Sequence, residues 1–91
     1  MLSIRLIWNI KWSASGKNHM ETLKILGERL RELRKERKAF QKDMAEFLGI
    51  TEAHDRRMEA GKVNIPTLTL CALADYHGVT TDYLLGRSET R

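Results

Sequence analysis

Apolar positions change their period once along this chain. From Leu2 to Trp12 they alternate: Leu2, Ile4, Leu6, Trp8, Ile10 and Trp12 stand between Ser3, Arg5, Ile7, Asn9 and Lys11, which are polar except at Ile7. A period of two places side chains on opposite faces of an extended backbone, so this segment is expected to be a strand with one apolar face. From Leu23 the steps lengthen to three and four through Leu26, Leu30 and Leu33, the stripe of an amphipathic helix that should end near Lys38. A shorter helix is expected over Gln41 to Leu48, with Met44, Ala45, Phe47 and Leu48 inward and Gly49 supplying the left-handed residue that stops it. Thr51 is suited to cap a third helix over 52–60, because its hydroxyl can accept from an unpaired backbone N–H, and Gly61 follows it. Pro66 is expected at the first position of a fourth helix carrying Leu68, Leu70, Cys71, Leu73 and Ala74, closed by Gly78. Thr80 or Thr81 then opens a short fifth helix with Tyr83, Leu84 and Leu85 before Gly86.

Five helices in 91 residues describe one all-α domain, expected over residues 20–86, with a polar tail at 87–91. An isolated strand has no partner in such a chain. Residues 1–19 therefore read either as an arm that pairs with a second copy or lies across the helices, with Leu6 and Trp8 as dimer contacts, or as a non-native extension. The linker-like Ser-Ala-Ser-Gly-Lys-Asn-His before Met20 allows both. Arg5, Asn9 and Lys11 break the apolar run, which is too short to span a bilayer as a helix, so no membrane association is expected. A single cysteine, Cys71, excludes an internal disulfide and a Cys-rich zinc site, and it reads as a small core residue in a cytoplasmic protein. The formal charge of +4 permits an anionic partner without requiring one. His19, His54 and His77 are scattered, and no activated nucleophile, carboxylate pair or phosphate-cradling glycine loop can be assembled, so neither an enzyme nor a cofactor is expected.

Two short helices joined through Gly49-Ile50 under a longer first helix make a geometry in which the later helix can enter a major groove. The chain resembles the Cro/Xre-type phage-repressor helix-turn-helix family from about Leu26 to Gly86. The resemblance is carried by Leu26-Gly27-Glu28-Arg29-Leu30-Arg31-Glu32-Leu33-Arg34, by Gln41 with Met44-Ala45 and Leu48-Gly49-Ile50-Thr51, by Glu59 with Gly61-Lys62, by Leu73-Ala74-Asp75-Tyr76, and by Thr81-Asp82-Tyr83-Leu84-Leu85-Gly86. Each piece is weak alone; their order and spacing are specific. The resemblance implies a five-helix domain that binds duplex DNA as a homodimer and regulates transcription. It implies a phosphate contact for Gln41 at a helix start, base-edge contacts for Glu52, Ala53 and Arg57 at the front and exposed face of the reading helix, and a DNA-binding position for Thr51 ahead of it. Arg56 and Lys62 would meet the DNA backbone. Leu84 and Leu85 are the dimerisation candidates beside Leu6 and Trp8.

Three departures fall where DNA would bind. Phe40 stands where the family carries a Ser or Thr cap, and Ala39 stands where it carries a larger apolar residue, so Phe40 is expected to fill the space Ala39 leaves. Asp55 occupies an inward slot usually held by an aliphatic or aromatic side chain, which requires a pairing Arg or His, or a rotated helix. Over 51–62, Arg56, Arg57 and Lys62 are offset by Glu52, Asp55 and Glu59, leaving the reading segment formally neutral. These departures motivate two alternatives: an interaction module of the same fold with a protein partner in place of DNA, and an antitoxin-type regulator that binds both.

Overall fold

A computed structural model describes residues 19–91, so the expected strand, with Leu6 and Trp8, lies outside the described residues. The described residues form five helices and no strand: α1 (His19–Glu36), α2 (Gln41–Leu48), α3 (Glu52–Glu59), α4 (Thr67–His77) and α5 (Thr81–Leu84). α1 begins one turn before the apolar stripe does. That turn carries exposed Met20 and Glu21, and an exposed turn leaves no trace in the pattern of buried positions.

The core is the stripe of α1 closed from three sides. Leu26, Leu30 and Leu33 are buried against Met44 of α2, Met58 of α3, Ile65 of the segment before α4, Leu73 and Ala74 of α4, and Tyr83 and Leu84 of α5. The helix ends satisfy their orphan backbone groups by left-handed stops and threonine caps. α1 stops through Lys38, whose φ of 57° is the left-handed conformation usually given to glycine; Ala39 N–H bonds Arg34 C=O at 3.1 Å and Lys38 N–H bonds Lys35 C=O at 3.0 Å. α2 stops through Gly49 at φ 68°, with Ile50 N–H on Ala45 C=O at 3.0 Å. Thr51 Oγ1 accepts from His54 N–H at 3.0 Å and Thr80 Oγ1 from Tyr83 N–H at 3.0 Å, so Thr80 is the residue that caps α5. Pro66 sits at the N-cap of α4, one position earlier than expected.

Four side chains expected inward, three by periodicity and Phe40 as a filler for Ala39, are not there. Phe40 is 70% exposed and fills no space left by Ala39; Leu68 is 82% exposed; Cys71 is exposed and free; Phe47 is half exposed and rests on Tyr76, ring centroids 4.6 Å apart. The reason is geometric. α4 is apolar on several faces and is covered on most of them, but the stripe of Leu68, Cys71 and Asp75 has no helix over it, so Leu73 and Ala74 take the core while Leu68 and Cys71 face solvent. Phe40, held extended at φ −98° and ψ 161° before α2, is directed away from the helices behind it.

The C-terminal tail is fastened rather than loose. Arg29 of α1 stacks over the Tyr83 ring at 4.3 Å, donates to the carbonyls of Tyr83 and Ser88, and pairs with Glu89. Arg91 reaches Glu36 through two bonds, at 2.8 and 2.6 Å.

Candidate nucleic-acid interface

α2 and α3 are joined by three residues, Gly49, Ile50 and Thr51. The left-handed Gly49 reverses the chain, partly buried Ile50 anchors the corner to the core, and Thr51 starts α3 with its cap bond. α3 buries Met58 and Asp55 and turns Glu52, Ala53, Arg56 and Arg57 to solvent, with Lys62 exposed just beyond its end. The exposed residues at the front of α3 and one turn later thus share a face, as helical spacing requires.

The acids of this segment do not share that face. Asp55 is 3% exposed and the Glu59 side chain 6%, so two of the three carboxylates are turned inside. Arg34 of α1 grips Glu59 with two parallel bonds, Nε to Oε2 at 2.7 Å and an η-nitrogen to Oε1 at 3.0 Å, and its other η-nitrogen donates to Ala39 C=O at 2.9 Å. That hydrogen bonding raises the Arg34 pKa above its ordinary value against the opposing effect of burial. Gln41 Nε2 also donates to Glu59 Oε1, at 3.2 Å. The phosphate-contact candidate at the start of α2 is therefore linked through one carboxylate to the end of α3 and the middle of α1. What remains outward over 51–62 is Arg56, Arg57 and Lys62 against Glu52 alone.

Asp55 is accommodated by neither expected route. No Arg or His bonds its Oδ2, which is buried without a hydrogen-bond partner, and α3 is not rotated to bring it to water. Burial first, and the negative charge of Glu59 next, push its pKa up to about 6, while Arg34 pulls the other way.

A cleft of about 460 Å³ opens between α1, the start of α2 and α3, lined in part by Arg31, Arg34, Gln41, Glu52 and Arg56. Arg31 was not among the residues singled out by sequence. The signal was present, since Arg31 and Arg34 are three apart and must share a face of α1, but nothing in sequence says that this face borders α3. α2 begins without a side-chain cap from Phe40; Asp43 compensates in part by accepting from Phe40 N–H at 2.8 Å. The dimerisation candidates are unequal: Leu84 is completely buried within the protomer, whereas Leu85 is half-buried at the end of α5. Among the described residues no group of three or more His, Cys, Asp or Glu could hold a metal ion, and no helix is long and apolar enough to cross a membrane.

Comparison with known proteins gives the same architecture. The chain is 41% identical over 61 residues to the SPbeta prophage-derived uncharacterized HTH-type transcriptional regulator YonR of Bacillus subtilis (strain 168). The alignment covers 67% of this chain and 56% of that protein, so the chain spans just over half the length of this relative. Residues 25–85, from the middle of α1 to the end of α5, match a helix-turn-helix domain family, and the chain belongs to that family.

Proposed function

We propose that this chain binds duplex DNA sequence-specifically and regulates transcription, with α3 in the major groove. One observation carries the reading: burial of Asp55 and Glu59 turns a formally neutral segment into an outward face of Arg56, Arg57 and Lys62 opposed only by Glu52. A polyanion meets the outward charge, not the formal sum. The description of the Bacillus subtilis relative as an HTH-type transcriptional regulator supports the same conclusion.

In this reading Arg57 offers two donors to a guanine edge, and Thr51 and Ala53 lie against the floor of the groove. Glu52 accepts from a cytosine amino group, which makes it a discriminating residue and not an affinity-giving one. Gln41, at a helix start, contacts a phosphate, and Arg56, Lys62 and the cleft residue Arg31 contact the backbone on either side. A single reading helix gives limited specificity, so the active species is a homodimer over two half-sites about one DNA turn apart. Half-buried Leu85, just past the end of α5, is its contact. A DNA regulator of this kind acts in the cytoplasm, without a cofactor.

Titration of labelled random-sequence duplex at two salt concentrations, with the protein and an Arg56→Ala/Arg57→Ala variant, tests this. Affinity that falls steeply with salt, and a smaller affinity and shallower slope in the variant, are expected. Binding no stronger than that of an unrelated basic protein at low salt would remove the proposal.

A further inference from the structure

The buried face of α3 carries more negative charge than its surroundings can balance. Asp55 and Glu59 are one helical turn apart and both shielded from water, so the charge of Glu59 opposes ionisation of Asp55. A single guanidinium serves the pair, and it is committed: Arg34 spends its donors on Glu59 and on Ala39 C=O. From α2 the site receives only the uncharged amide of Gln41, and from α3 itself the further negative charge of Glu52. Arg31 and Arg56 are solvent-exposed residues of the neighbouring cleft. Asp55 Oδ2 meets no donor.

We propose that the seating of the reading helix on α1 is proton-linked: Asp55 carries a proton in the seated state, and its loss loosens α3 and weakens DNA binding. Only the last step rests on the DNA reading given above. Ionised, Asp55 places a second negative charge in a buried site that holds one cation. The least costly relief is for α3 to move outward until the carboxylate reaches water. The same movement pulls Glu59 from Arg34 and Gln41, and so frees the groups that set α3 against α1 and α2.

The direction in pH follows from the raised folded value of about 6 against an ordinary 3.8. The contribution is fully present below about 3.8, is lost at up to tenfold per pH unit as pH rises to about 6, and is gone above that. The whole loss is roughly a hundredfold in the equilibrium constant, or about 3 kcal/mol. His77 works oppositely. Burial lowers its pKa, so the stability it carries is present at high pH and lost as pH falls through its folded value. The wild-type profile is therefore composite, and the difference from an Asp55→Asn variant isolates Asp55.

The test is amide hydrogen exchange and urea unfolding of the full chain between pH 4.5 and 8, for wild type, Asp55→Asn and His54→Gln, with duplex DNA affinity at pH 5.5 and 7.5. The expected result is an Asp55→Asn chain that gains on wild type by roughly thirtyfold in folding constant over this pH range, with no further gain above about pH 7. Protection of α3 amides, corrected for intrinsic exchange, should fall with pH in wild type and in His54→Gln while staying level in Asp55→Asn; α4 amides should not share this loss. DNA affinity should weaken over the same interval more in wild type than in Asp55→Asn. Parallel wild-type and Asp55→Asn profiles in unfolding and in α3 protection would overturn the proton link. Absence of DNA binding at both pH values would instead sink the DNA reading, and the exchange data would still decide the link.

Discussion

Gly27 lies in the middle of α1, where alanine normally stabilises a helix by about 1 kcal/mol relative to glycine. In this protein Gly27→Ala is expected to destabilise. A Cβ at position 27 would stand 2.8 Å from both the Glu59 carbonyl carbon and the Met58 carbonyl oxygen, and closer still to the Glu59 carbonyl oxygen. Ordinary contacts between such atoms are about 3.5 Å, so α1 and the end of α3 must part by close to 1 Å, and backbone atoms cannot swing aside as a side-chain tip can. Overpacking of this kind costs about 1–3 kcal/mol. The residue pushed is Glu59, whose bonds to Arg34 at 2.7 and 3.0 Å are stretched by the same displacement, which adds to the cost. After subtracting the helix-propensity gain, overpacking leaves a net loss of up to about 2 kcal/mol, to which the stretched ion pair adds, so the melting point falls by up to roughly 15 °C for a domain of this size. Urea and thermal unfolding of wild type and Gly27→Ala measure it. Gly49→Ala is the control: it has open space around the new Cβ but a φ of 68°, so it should lose only about 1 kcal/mol and leave the α1–α3 contact intact. A Gly27→Ala protein as stable as wild type, or more so, would refute the close approach of the α1 and α3 backbones.

Other consequences are equally direct. Lys38→Gly should raise stability by up to about 1 kcal/mol in urea unfolding, because φ 57° strains a lysine and not a glycine. The two cap sites of the helix pair should respond in opposite senses. Phe40→Ser should gain about 0.5–1 kcal/mol by supplying the missing acceptor at an exposed, extended residue, while Thr51→Ala should lose about 1 kcal/mol with its bond to His54 N–H. Arg34→Met should cost about 3–5 kcal/mol by stranding Glu59, whereas Arg91→Ala should leave the unfolding midpoint unchanged because its partner Glu36 is on the surface. A large effect of Arg91→Ala, or a small one of Arg34→Met, would reverse this ranking of the ion pairs.

The amino-acid sequence alone determined the helices, their order and the corner between the second and third. The reason is that periodicity, left-handed glycines and threonine caps act within a few residues. Leu26, Leu30 and Leu33 declare one face of α1, and Gly49 with Thr51 declares where α2 stops and α3 starts. The Cro/Xre resemblance rested on the same local pieces, and the helix-turn-helix family match spans them. Which apolar residues are core was less legible. Phe47, Leu68 and Cys71 satisfy helical spacing, yet α2 and α4 have neighbours on too few sides to bury them. The charge of the candidate interface was not legible at all. Formal counting over 51–62 gives zero, and only the docking of α3 on α1 decides that Glu59 is spent on Arg34, twenty-five residues away, and that Asp55 is sealed beneath the helix. Burial and pairing depend on which faces of separate helices meet. That is a property of tertiary packing, and with it came both the outward positive face of α3 and the uncompensated carboxylate behind it.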